Sequence, residues 1–128
     1  MQKKILVVDD EAAMTRMIQR ALERTGQFQV RTETHPTRVI DVAREFRPDL
    51  VLLDVMMPDM LGDEVADAID TDPELAGTPY VFLTAIVTRE ETAITDGEIG
   101  GRLFLAKPLK IRDLLDMIER VLESGHRG

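Results

Sequence analysis

Cysteine and tryptophan are absent from the chain, and aromatic residues make up only 4% of it. Without cysteine there are no disulfides, no thiolate metal ligands and no cysteine nucleophile. Basic residues are outnumbered: 16 Lys and Arg face 24 Asp and Glu, and the net charge of −8 repels nucleic acid and anionic lipid. No apolar run approaches the roughly 18 residues of a membrane span, and a strand-like run begins too early to follow a signal peptide. What is present is 128 residues, 44% hydrophobic and 31% charged. That suffices for one domain with its own core, and a cytoplasmic setting is expected.

Two apolar spacings alternate along the chain. Solid runs at Ile5-Leu6-Val7-Val8, Leu50-Val51-Leu52-Leu53, Val81-Phe82-Leu83 and Leu103-Phe104-Leu105 suit strands covered on both faces. Phe28-Gln29-Val30-Arg31-Thr32 alternates instead, as an edge strand does. Helical stripes lie between the runs. Met14, Met17, Ile18, Ala21 and Leu22 form the first, stopped by Gly26. Val39, Val42, Ala43 and Phe46 form the second, with Thr34 as cap and Pro36 in the first turn. Leu61, Val65, Ala68 and Ile69 form the third, and Ile111, Leu114, Leu115, Ile118 and Leu122 the last. Between Val87 and Gly101 the pattern weakens: Ala93, Ile94 and Ile99 outline a loose helix diluted by Gly97, Gly100 and Gly101. Alternating strands and helices predict an α/β fold, a flavodoxin-like (βα)5 three-layer sandwich. Its parallel five-stranded sheet has the order 2-1-3-4-5, with a crevice at the carboxyl ends of strands one and three. Residues 1–123 form the domain, and 124–128 read as a disordered tail.

Chemistry gathers at those strand ends. Strand one runs into Asp9-Asp10-Glu11, strand three into Asp54, strand four into Thr84-Ala85 and strand five into Lys107-Pro108. In the predicted order Asp9, Asp10 and Asp54 converge. Carboxylates so close raise each other's pKa and oppose folding unless a cation joins them, and magnesium suits such oxygen ligands. Taken singly, each residue has a plainer explanation. Asp-Asp is a helix cap beside a solvated acid, Asp54 a turn residue, Thr84 a β-former and Lys107 a surface lysine. Their joint placement on one side of the sheet outweighs those separate explanations.

Val7-Val8-Asp9-Asp10-Glu11, Leu53-Asp54-Val55-Met56-Met57-Pro58-Asp59-Met60-Leu61-Gly62, Leu83-Thr84-Ala85 and Lys107-Pro108, in that order and spacing, resemble the receiver domain of bacterial two-component response regulators. The resemblance runs from Lys4 to about Glu123 and is chemotaxis-regulator-like. It implies that Asp54 accepts a phosphoryl group, with Mg2+ (or Mn2+) held directly by Asp10, by Asp54 and by the Met56 backbone carbonyl, and by Asp9 through water. Lys107 would pair with a phosphoryl oxygen, and the Lys107-Pro108 bond would be cis. Ala85 would keep the mouth of the site open, while Pro58 and Gly62 shape the following loop. Thr84 and Phe104 would form the switch, changing the face made by the fourth helix, fifth strand and fifth helix. Ordinary core packing is the alternative role for Phe104.

The same resemblance implies a histidine kinase or histidine phosphotransfer protein as donor, an unknown downstream protein target, and no nucleic-acid or membrane binding by this domain. The only catalysis expected is of its own phosphorylation and dephosphorylation. Met56 and Ile86 are apolar where receivers often carry polar residues, which predicts slow loss of the phosphoryl group. Gly100-Gly101-Arg102 stands where DNA-binding regulators often carry acids. A flavodoxin-like electron carrier is disfavoured because Asp9-Asp10-Glu11 would repel its phosphate. An aspartate-nucleophile phosphatase would want an acid where Met56 stands. A phosphorylation-independent scaffold, or a receiver cut from a longer regulator or hybrid kinase, is the remaining alternative.

Overall fold

The computed structural model describes residues 2–85, 98–99 and 102–124. In chain order these give β1 (Lys3–Val8), α1 (Ala12–Glu23), β2 (Phe28–Glu33), a 3-10 turn (Pro36–Arg38) leading into α2 (Val39–Phe46), and β3 (Leu50–Asp54). There follow α3 (Gly62–Thr71), β4 (Tyr80–Thr84), β5 (Glu98–Ile99), β6 (Arg102–Ala106) and α4 (Ile111–Ser124). The sheet order is β2-β1-β3-β4-β6-β5. Every pairing from β2 to β6 is parallel, so the five long strands stand in the predicted 2-1-3-4-5 order. β5 is an addition: two residues pair antiparallel with the outer edge of β6.

The solid apolar runs are explained by cores on both faces of the sheet. Ile5, Val7, Leu50, Leu52, Val81 and Leu83 point to one face and pack with Ile18 and Leu22 of α1 and Leu114, Met117 and Ile118 of α4. The alternate residues Leu6, Val8, Val51, Leu53, Tyr80 and Phe82 point to the other, against α2 and α3. Each such side chain, removed wholly from water, contributes about 1.5–3 kcal/mol. β2 carries one wet face, Phe28 and Val30 being buried and Gln29 exposed, as its alternation predicts.

Several sequence assignments need correction. Met17 is 42% exposed and Thr15 takes the buried place in α1. Leu61 is 41% exposed at the N-cap of α3, whose core face is Gly62, Val65, Ala66 and Ile69. Thr34 is no cap: His35 precedes the 3-10 turn, without a side-chain capping bond. Ile99 belongs to β5, not to a helix. Met117 and Val121 join the α4 core, and the helix runs through Ser124, one residue into the predicted tail. The rest of that tail, the loose fourth helix and Ile86 lie outside the described residues.

Candidate functional site

Strand register builds the site. Val8 is registered with Leu53, so the next residues along each strand, Asp9 and Asp54, emerge side by side. Asp9 has no exposed surface; its Oδ1 accepts the Glu11 N–H at 3.0 Å, turning the chain toward α1. Asp54 is also buried, while Asp10 is exposed. Each of the three offers an oxygen, and these oxygens all lie within 4.8 Å of one another.

β6 delivers the counter-charge. The Lys107 N–H donates to the Thr84 carbonyl at 2.8 Å, joining the ends of β6 and β4, and the Lys107-Pro108 bond is cis. Lys107 Nζ donates to Asp9 Oδ2 at 2.9 Å and to Asp54 Oδ1 at 3.1 Å. The loop after β3 is held tightly beside the site. The Gly62 N–H donates to the Val55 carbonyl at 2.8 Å, and a Cβ on Gly62 would meet the Asp54 carbonyl oxygen at 2.5 Å. Only glycine fits there, a requirement the sequence motif hinted at without supplying its cause.

Electrostatically the site is unfinished. Burial and then the Asp9 charge push the Asp54 carboxyl up to about 6, against the opposing pull of Lys107. Burial would lower the Lys107 ammonium, but bonds and charges from Asp9 and Asp54 outweigh it and the net direction is up. The Lys107 ammonium pairs with Asp9 and Asp54, and Asp10 adds a third carboxylate to the cluster. An oxygen-only donor set with excess negative charge fits a hard divalent cation.

The other predicted residues are placed as follows. Thr84 is buried at the end of β4, registered with Ala106. Phe104 is half-buried in β6, its ring stacked on Phe82 at 5.1 Å between centroids. Met56 is 59% exposed. His35 is exposed, with Nδ1 3.4 Å from a Glu33 oxygen, and His126 is outside the described residues. Arg102, noted in the sequence only for replacing acids, is ion-paired to Asp67 of α3. A groove of about 880 Å³ between α4 and the start of β1 and β2 includes none of the acidic cluster.

The family model for the response regulator receiver domain matches residues 5–119, and the chain belongs to that family. It is a receiver domain of two-component signalling, a family that typically binds Mg2+ and is partnered by histidine kinases. The polar-differentiation response regulator DivK of Brucella anthropi is 29% identical over 123 residues, covering 95% of this chain and 98% of DivK. The DNA-binding response regulator MtrA of Mycobacterium tuberculosis is 36% identical over 125 residues, covering 98% of this chain. The chain spans about half of MtrA, 53%. Among solved structures, the chemotaxis response regulator CheY4 of Vibrio cholerae superposes with a TM-score of 0.79 at 28% identity, covering 94% of this chain and 99% of CheY4. Among the described residues no helix is long and apolar enough to cross a membrane.

Proposed function

We propose that residues 1–123 form a phosphoacceptor switch that takes a phosphoryl group onto Asp54 from a histidine kinase or histidine phosphotransfer protein. One observation carries this: a buried carboxylate at the end of the central strand β3, raised in pKa, lies 3.1 Å from an ammonium and beside two further acids. An Asp54 oxygen forms a bond to phosphorus as the bond from phosphorus to the donor's imidazole nitrogen breaks. The imidazole leaves with that electron pair, and the product is an acyl phosphate. Lys107, already within hydrogen-bond reach, neutralises an oxygen of the arriving group. Asp10, Asp54 and the Met56 backbone carbonyl would hold Mg2+ directly, and Asp9 would hold it through water. The bound ion supplies charge neutralisation on the phosphoryl oxygens.

Thr84 would then donate its hydroxyl to the phosphoryl group, and Phe104 would move into the space vacated. That step changes the face including β6 and α4 by shifting a two-state population, toward a downstream protein partner. The domain's chemistry is confined to its own phosphorylation and dephosphorylation. Its acidic surface argues against nucleic-acid binding, and the setting proposed is cytoplasmic.

Incubation with acetyl phosphate and Mg2+ should add one phosphoryl group to the wild-type chain, read as intact mass. Asp54→Asn, and wild type in chelator, should gain none. Wild-type protein that stays unmodified with both Mg2+ and donor present would favour a phosphorylation-independent scaffold.

A further inference from the structure

Phe104 does not stand alone on its face of the sheet. β6 alternates, so Arg102, Phe104 and Ala106 share one side, while Leu103 and Leu105 join the core on the other. On β4 the matching side carries Tyr80, Phe82 and Thr84. Phe82 is registered directly opposite Phe104, and Thr84 opposite Ala106. The Phe104 ring is stacked on Phe82 with centroids 5.1 Å apart and planes 28° from parallel. The Arg102 guanidinium lies over the same Phe82 ring, 5.5 Å from its centroid. Arg102 is in turn anchored: its Nη2 donates to Asp67 Oδ1 of α3 at 2.9 Å. The buried Tyr80 supports Phe82 edge-on at 5.6 Å and donates its hydroxyl to Asp70 of α3 at 2.7 Å.

We propose that Arg102 is a positioning residue for Phe104: tied to Asp67, it fixes the Phe82 ring on which Phe104 rests, and so restrains the movement of Phe104 toward Thr84. This rests on Phe104 being the moving part of the switch. On β6 itself the next residue on that face, at the strand end, is the small Ala106. The restraint is weak by construction. The Asp67 side chain is 70% exposed and that of Arg102 29%, so their ion pair biases a population and does not lock it. A cation over an aromatic face adds a comparable bias. Releasing the pair should therefore raise the population of the moved ring by about two- to fivefold. The pair also links α3, which begins beside Asp54, to β6, so the restraint joins two elements that border the acidic site.

The experiment is NMR of ring-labelled phenylalanine in the full chain, which has only 4 such residues. In unphosphorylated protein, Arg102→Gln and Asp67→Asn should move the Phe104 and Phe82 signals in one shared direction, with Phe28 and Phe46 unmoved. Arg102→Lys, which keeps the charge, should stay nearer to wild type. The Arg102→Gln, Asp67→Asn double variant should go no further than Arg102→Gln alone. Asp67→Asn should still take up one phosphoryl group at Asp54, which shows that the variant is folded; its site is exposed. Phe104 signals that superimpose on wild type in both single variants would overturn the proposal, as would additive shifts in the double variant. Beryllofluoride with Mg2+ tests the underlying switch separately. A wild-type Phe104 signal that ignores it sinks the switch, while the variant shifts in its absence still decide the role of Arg102.

Discussion

Asp54 and Asp72 are both buried aspartates, 5% and 6% exposed, at the ends of neighbouring elements, and their surroundings are opposite. Asp72 closes α3 and is fully engaged. Its Oδ1 accepts the Glu74 N–H at 2.9 Å, and its Oδ2 takes both Nε and Nη2 of Arg44 from α2. The Arg44 hydrogen bonds, aided by the backbone N–H of Glu74, hold its carboxyl below the ordinary range despite burial. Asp54 has a share of one ammonium, a second acid at its side, and a pKa driven up. A buried carboxylate with its bonds made is structure; one left short of positive charge is where a cation and an anionic group can bind.

The comparison breaks most completely if Asp54 is neutralised. Asp54→Asn should abolish phosphoryl uptake outright. The same substitution should stabilise the metal-free protein by about 1–2 kcal/mol, below the nominal value of the shift because Lys107 and solvent screen the site. Asp72→Asn should do the reverse, lowering the denaturant midpoint while phosphoryl uptake continues. Urea titrations of the two variants should differ in sign.

Magnesium should sharpen the contrast. At a free concentration one hundred times its dissociation constant it should stabilise the wild type by about 2.7 kcal/mol, and much less in Asp10→Asn. Chelation should remove the gain.

Acid titration of metal-free protein separates the two carboxyls. The folded pKa of Asp54 lies above its unfolded value, so its cost is present above about pH 6 and is relieved as the pH falls toward 4. The folded pKa of Asp72 lies below its unfolded value, so its contribution holds above about pH 4 and is lost as the pH falls through the folded value. Stability should therefore rise as the pH falls from about 6 to about 4, and fall below that. Asp54→Asn should flatten the first limb and Asp72→Asn the second. The smallest effect belongs to Met56. Replacing this exposed apolar side chain by Asn should shorten the lifetime of the acyl phosphate by about tenfold or less, followed as decay after donor removal.

How far the molecule was legible in its sequence follows from the range of the forces involved. Sheet order came from burial: Phe28 to Thr32 alternates because one face of β2 is wet, while β1, β3 and β4 are covered on both. The convergence of Asp9, Asp10, Asp54 and Lys107 followed from that order, since strand ends on one side of a parallel sheet must meet. Spacing places Met17 and Leu61 in the core, but a helical stripe is wider than the strip that packs, and spacing alone does not say which flank is left wet. The pair between Arg102 and Asp67 spans 35 residues and depends on where α3 lies across the sheet. Nothing local encodes it. The close approach of Gly62 to Asp54 is likewise a matter of ångströms that a motif can mark and only coordinates can explain.

Borohydride reduction after phosphorylation is the most direct test of the acceptor, because it converts an aspartyl phosphate to homoserine and peptide mass mapping then reads the residue. Homoserine is expected at position 54, formed only when Mg2+ and donor were both present. Homoserine at any other aspartate, or none in fully folded protein with both supplied, would contradict Asp54 as the acceptor.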